Sequence, residues 1–269
     1  MKGRVNGSYE NIIVMGKSGA GKQPRVDALT RKFGMKQLST GNIFRHYLGL
    51  FEALGPRGPL DRFRDETDGA FLPDDEIQHA LGISDRADAD DVTLGLKAAY
   101  FVNQGRFVPD EITNALFAAA FEAMDYRGAV LDGFPRTEEQ ARFLKTLADR
   151  NGARLDAILW VENEDEAIIA RALGRRICET CGGVYHMEHR PPPEPGGCDE
   201  MAPDCRIVQR GDDTVESLKA RLREFKEKTE PAIDYLAALG IPIHRVSGNL
   251  PDYGAEAVEA SVFAAMGVE

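Results

Sequence analysis

The chain has 269 residues, enough for one large α/β domain or two modest ones. Hydrophobic residues make up 43% of it, which allows a sizeable core and argues against wholesale disorder. A net charge of −11 and a pI near 5.1 weigh against a nucleic-acid partner, which favours a basic face. They do not weigh against a nucleotide, because a few arginines in one cleft create a local positive field.

The stretch Met1–Asn11 is short and polar, without a signal-peptide core. No run reaches the roughly 18 apolar residues of a membrane helix. A cytoplasmic protein with no membrane partner is expected. Asn11–Met15 is a short apolar run that ends in glycines, the pattern of a buried parallel strand entering a loop and then a helix. The loop, Gly16-Lys17-Ser18-Gly19-Ala20-Gly21-Lys22, matches G-x-x-x-x-G-K. Its glycines let successive backbone N–H groups face inward, the helix N-terminus adds its dipole, and Lys22 supplies a mobile charge for the β- and γ-phosphates. Gly16, Ser18, Gly19, Ala20, Gly21, Lys22 and Gln23 are therefore the expected ATP-phosphate contacts. After Lys22 come Gln23 and Pro24; the proline suits a first helical turn but offers no N–H to a phosphate. The lost charge-assisted hydrogen bond is worth roughly 1.5–3 kcal/mol, and Gln23 or Arg25 are candidates to replace it.

Further along lie Ser39-Thr40-Gly41-Asn42-Ile43-Phe44-Arg45, then a segment at Leu50–Asp91 rich in acids with Gly-Pro-Arg-Gly-Pro and no clear strand. Apolar runs at Ala129–Leu131, Ala157–Val161 and Ile243–Val246 read as strands; Glu138–Asp149, Asp165–Leu173 and Val215–Leu239 read as amphipathic helices. Strands alternating with helices imply an α/β fold with a doubly wound parallel sheet and ligands at the strand C-terminal ends. Cys178, Cys181, Cys198 and Cys205 cluster within a Pro- and Gly-rich stretch. In a reducing compartment this points to a metal rather than to disulfides. Four thiolates select zinc, with cobalt or iron as alternatives, in a structural role.

Two motifs carry a family resemblance. Ser39-Thr40-Gly41-Asn42-x-x-Arg45 resembles the Ser-Thr-Gly-Asp-x-x-Arg of adenylate kinases, with Asn42 in place of the aspartate. Leu131-Asp132-Gly133-Phe134-Pro135-Arg136-Thr137 with Gln140 matches their Asp-Gly-Phe-Pro-Arg-Thr…Gln. The resemblance implies a P-loop nucleoside monophosphate kinase in which Arg45 and Arg136 hold the AMP phosphate. Thr40, Gly133 and Gln140 would read the adenine, Phe107 and Val108 would belong to the AMP site, and Asp132 would orient magnesium through water. It also casts Arg171 as stacking on the ATP adenine, and Arg175, Arg210 and Arg221 as clamping the transferring group. Lys22, Asp132, Arg136, Arg175, Arg210 and Arg221 then form the catalytic set.

The same resemblance, to the long-lid adenylate kinases, divides the chain. The core would be 1–38, 109–173 and 211–269; the helical AMP-binding subdomain 39–108, with an insertion at about 50–91; the metal-bearing lid 174–210. The family's second cysteine pair is C-x-x-C, whereas here Met201 takes the usual fourth position and Cys205 stands further on as the expected fourth ligand. The implied reaction is ATP + AMP ⇌ 2 ADP with Mg2+, in a monomer without nucleic acid. A UMP/CMP kinase is the alternative within the class. A nucleotide-binding regulator with weakened catalysis, suggested by Gln23-Pro24 and Asn42, is the alternative outside it.

Overall fold

The computed structural model describes residues 9–268, except 66, 68, 105, 189, 194–196, 199–204, 210, 212 and 251–253. In chain order, strand β1 (Asn11–Met15) leads through the glycine loop into helix α1 (Lys22–Phe33), and β2 (Lys36–Ser39) into α2 (Thr40–Glu52). After a 3-10 turn at Leu60–Phe63 come α3 (Asp74–Leu81), α4 (Ala89–Val102) and α5 (Asp110–Glu122). Then β3 (Ala129–Asp132), α6 (Glu138–Arg150), β4 (Ala157–Glu162) and α7 (Asp165–Gly174) alternate. Three short strands follow, β5 (Arg175–Cys178), β6 (Val184–His186) and β7 (Ile207–Val208). The chain closes with α8 (Val215–Glu224), α9 (Glu230–Ala238), β8 (Ile243–Ser247) and α10 (Ala255–Met266).

Five strands form one sheet in the order β2-β3-β1-β4-β8, and β5, β6 and β7 form a separate antiparallel sheet in the order β6-β5-β7. The pairs β2–β3 and β4–β8 are parallel. All five residues of β1 are buried, as its near-continuous apolar run requires of a central parallel strand. Its one polar member, Asn11, is satisfied on every side. Its Nδ2 donates to the carbonyls of Tyr126 and Arg154, both at 2.9 Å, and its Oδ1 accepts from the Ala129 N–H. A buried amide so used costs little, whereas an unpaired one would cost about 1–3 kcal/mol.

The chain divides into two compact units, Met1–Ile13 with Thr30–Ala157, and Val14–Leu29 with Ile158–Glu269. In the first, the register β2–β3 sets Ser39 beside Asp132, so the two resemblance motifs meet at adjacent strand ends. Helix α6 shows how local sequence fixes an element. The Thr137 hydroxyl accepts from the Gln140 N–H, Glu138 and Glu139 occupy the positive end of the helix dipole, and Ala141, Leu144 and Ala148 bury one face. In the second unit, β4–β8 pairing sets Glu162 beside Ser247.

The elements foreseen at Asn11–Met15, Ala129–Leu131, Ala157–Val161, Ile243–Val246, Glu138–Asp149 and Asp165–Leu173 are present within a residue or so of those bounds. Val215–Leu239 is not one regular helix: a π-turn at Phe225–Thr229 separates α8 from α9. Pro231 stands in the first turn of α9 and has no N–H for the preceding turn, which is the local reason for the change of pitch. Leu50–Asp91, in which the sequence shows no clear strand, contains helical segments. Phe51, Phe63, Ile77, Leu81 and Ile83 pack with Ala89, Val92, Leu96 and Ala99 of α4 into a satellite core. The Arg64 guanidinium lies over the rings of Phe71 and Tyr100, at 4.7 and 4.9 Å, and so fastens the segment to α4.

Candidate functional site

The phosphate loop lies in the second unit. Gly16 has φ 153°, and a Cβ there would stand 2.5 Å from the Val161 carbonyl oxygen; only glycine fits so close to β4. Lys22 arches back over the loop, its Nζ donating to the carbonyls of Gly16 at 2.8 Å and Lys17 at 3.0 Å. An ammonium held over its own loop is placed to exchange one of those carbonyls for a phosphate oxygen. A turn from the Ala20 N–H to the Lys17 carbonyl, and an ion pair between Lys17 and Asp165 of α7, fix the loop's outer edge.

Both proposed replacements for the donor missing at Pro24 are otherwise engaged. The Gln23 amide donates to Asp27 at 2.8 Å. Arg25 is fully buried and donates to the Gly21 and Ser247 carbonyls. In this structure both side chains are thus turned to protein partners. Arg171 on α7 turns toward the Gly248 carbonyl, at 3.4–3.5 Å.

The first unit holds a polar cluster at the ends of β2 and β3. The Thr40 hydroxyl donates to the Asp132 carbonyl at 3.2 Å, and Gln37 donates to the Asp132 carboxylate at 3.0 Å. The Arg136 Nε donates to the Gly133 carbonyl at 2.9 Å, which turns the guanidinium back toward β3. The Arg136 N–H donates to Gln140 Oε1 at 2.8 Å, and Gln140 Nε2 donates to Asp110 at 2.7 Å. Asp110 also accepts from the Thr137 hydroxyl at 2.7 Å. Gln140, only 5% exposed, thus spends one donor and one acceptor on holding Arg136 to α5. Arg45 hydrogen-bonds Asn42 one turn back on α2. Phe107 is 83% exposed, and Arg106 before it lies 5.1 Å over the Phe101 ring.

Residues 174–210, the expected lid, lie in the second unit. Arg175 makes a bidentate pair with Asp213, at 2.6 and 3.0 Å, and the Asp213 side chain is fully buried. One edge of the guanidinium is therefore structural, leaving NH1 on the other edge as the part able to meet a ligand. Arg221 lies partly exposed on α8. Arg210 and Met201 lie outside the described residues.

The Sγ atoms of Cys178, Cys181, Cys198 and Cys205 all lie within 4.8 Å of one another, and none is in a disulfide. Cys181 and Cys198 are 3.6 Å apart. A tetrahedral thiolate site with metal–sulfur bonds of about 2.3 Å places its sulfurs roughly 3.8 Å apart, so the four fit one ion. The turn between Cys178 and Cys181 is closed by Gly182 N–H to Cys178 carbonyl and Cys178 N–H to Gly183 carbonyl bonds. The Cys181 N–H is the largest influence on the Cys178 sulfur; with the Thr180 N–H it outweighs burial and holds the thiol down to about 6. Ionised sulfur is the form that binds a metal.

Sequence reasoning missed Gln37, Asp110, Asp213 and the Ser247–Gly248 turn. Asp110 and Asp213 are single acids among many in an acidic chain. Their partners, Gln140 and Arg175, are distant in sequence and carry the only signal.

The phosphate loop and the Asp132–Arg136 cluster define a P-loop kinase acting on nucleoside monophosphates. The sequence model described as Adenylate kinase matches residues 84–241. The adenylate kinase of Symbiobacterium thermophilum is 31% identical over 242 residues, covering 90% of this chain and 92% of that protein. That of Moorella thermoacetica is 32% identical over 231 residues, covering 86% and 87%. That of Oceanobacillus iheyensis is 33% identical over 241 residues, covering 89% and 92%. The chain belongs to the adenylate kinase family. It is a phosphotransferase.

Proposed function

We propose that the chain catalyses ATP + AMP ⇌ 2 ADP. An oxygen of the AMP phosphate attacks the γ-phosphorus of ATP in line, the bond from that phosphorus to the β,γ-bridging oxygen breaks, and ADP leaves. No covalent enzyme intermediate is required. Lys22 and the loop N–H groups hold the β- and γ-phosphates, while Arg45 and Arg136 hold the acceptor phosphate. The free edge of Arg175, with Arg210 and Arg221, neutralises charge on the transferring group. Magnesium bound with ATP would draw charge off the phosphates, and the Asp132 carboxylate at the end of β3 is the acid suited to orient it through water.

The acceptor cluster carries this reading: Thr40, Asp132, Gly133 and Arg136 are tied together through Gln140 to Asp110. Each of Thr40 and Gln140 keeps further hydrogen-bonding capacity for a base edge. The division into core, AMP-binding subdomain at 39–108 and lid at 174–210 belongs to this same reading. So do a monomer, a cytoplasmic location and a structural zinc on the four cysteines. Among the described residues no helix is long and apolar enough to cross a membrane. The net charge of −11 disfavours nucleic acid.

Coupled ADP-formation rates with AMP, UMP, CMP and GMP test the proposal. AMP should be the fastest acceptor. Equal or faster turnover with UMP or CMP would replace the acceptor assignment, and ATP binding without transfer to any of the four would favour the regulator.

A further inference from the structure

Arg25 is a polar anomaly next to the phosphate loop. It is a fully buried guanidinium on α1, one residue past the proline that cannot donate an N–H. A buried charge persists only where it is well hydrogen-bonded, and the bonds of Arg25 span two elements. Its NH1 donates to the Gly21 carbonyl at 3.0 Å and its NH2 to the Ser247 carbonyl at 2.7 Å.

The turn after β8 comes very close to the loop at this point. A Cβ on Gly248 would stand 2.0 Å from the Ala20 carbonyl oxygen, and the Gly248 N–H donates to the Glu162 carbonyl at 2.5 Å. The space beside Gly21 is bounded by three groups, each 3.2 Å from where its Cβ would be: Arg171 NH1, Arg25 NH1 and the Gly248 carbonyl oxygen. The loop's last turn is thus held from behind by one guanidinium that also holds β8.

We propose that Arg25 is a positioning residue for ATP: it braces the Gly21 end of the phosphate loop against the Ser247–Gly248 turn and so offsets the donor missing at Pro24. Its burial bars it from touching a phosphate. It acts by fixing the direction of the Gly21 peptide, and hence of the loop N–H groups. Its positive charge behind the loop adds to the field at the phosphate site without requiring contact. The inference rests on the reading of this loop as the ATP phosphate site.

The test uses the full chain as wild type, Arg25→Gln, Arg25→Lys, Pro24→Thr and the Pro24→Thr/Arg25→Gln double variant. ATP affinity is measured by displacement of a fluorescent ATP analogue, which needs no turnover. KM for both substrates and the melting temperature accompany it. Loss of the brace should weaken ATP binding by roughly 10- to 150-fold, while KM for AMP stays within about twofold. Arg25→Lys should recover only part of the loss, because one ammonium nitrogen cannot stand at both the NH1 and NH2 positions from which the planar fork reaches the Gly21 and Ser247 carbonyls. Pro24→Thr restores an N–H, so it should improve ATP binding by about fivefold more in the Arg25→Gln background than in wild type.

A melting temperature that falls in Arg25→Gln with unchanged ATP affinity would overturn the proposal, as would purely multiplicative effects of the two substitutions. Should Arg25→Gln not fold, an Arg25→Lys protein with wild-type ATP affinity would overturn it equally. Failure of the wild type itself to bind ATP would overturn the phosphate-loop reading and this proposal with it.

Discussion

Replacing Gln140 by alanine tests whether Arg136, which we propose holds the acceptor phosphate, is positioned by the Gln140 amide. The Gln140 side chain makes two bonds that alanine cannot, one from the Arg136 N–H at 2.8 Å and one to the Asp110 carboxylate at 2.7 Å. The first is a neutral bond worth about 0.5–1.5 kcal/mol and the second involves a charge, worth about 1.5–3 kcal/mol. Asp110 retains the Thr137 hydroxyl, so its carboxylate is not left bare and the upper end of the sum will not be reached. About 2–3 kcal/mol is expected in stability. The kinetic loss falls on one substrate: KM for AMP should rise roughly 10- to 100-fold while KM for ATP changes little. Gln140→Glu keeps an acceptor for the Arg136 N–H but sets a second carboxylate against Asp110, so it should lower stability at neutral pH and recover as acid neutralises the pair. Steady-state kinetics with each substrate varied in turn, alongside thermal melts, provide the measurement. A stability loss with KM for AMP within about twofold of wild type would show that the amide only packs α6 on α5, and would refute the reasoning.

Purification without added metal should yield about one zinc per chain by elemental analysis; no metal, with all four thiols titrating freely in the native protein, would remove the lid site. Cys181→Ser should lower the melting temperature of the lid while leaving ATP-analogue binding intact, since metal ligation supplies folding energy to a segment with little core. Arg64→Ala should raise KM for AMP about two- to tenfold with kcat unchanged, by freeing the aromatic stack that ends beside Arg106; an unchanged KM would show that the inserted segment decorates α4 without influencing Phe107 and Val108. Burial, then the nearby Asp91, pushes the Tyr47 phenol up to about 12. A folded-state pKa above the unfolded value near 10 stabilises the fold below pH 10 and loses that contribution as pH rises toward 12, so Tyr47→Phe should flatten the alkaline loss of stability measured by denaturant melts.

What the sequence makes legible is whatever is both local and chemically constrained. The glycine loop, the central strand β1 and the helix α6 follow from spacing and side-chain type alone. The edge strand β2 does not, because Lys36–Ser39 offers one buried residue and no periodicity. Leu50–Asp91 hides its helices for a related reason: its apolar residues are spaced to meet α4, most of which lies beyond the segment. Thr40, Arg136 and Gln140 are readable as a motif, yet only the three-dimensional structure shows that Gln140 ties the Arg136 backbone to Asp110 of α5. Arg25 shows the limit most plainly. Next to a proline it reads as a spare cation for phosphate, whereas its burial and its bond to Ser247, far along the chain, make it part of the scaffold.

The most direct test of the central claim follows all phosphorus species by NMR while ATP, AMP and magnesium are turned over by wild type and by Lys22→Ala. The account predicts that ATP and AMP fall together with two ADP formed per event, and that Lys22→Ala, though folded, forms none. Consumption of ATP with release of inorganic phosphate and no loss of AMP would contradict it, as would undiminished transfer in Lys22→Ala.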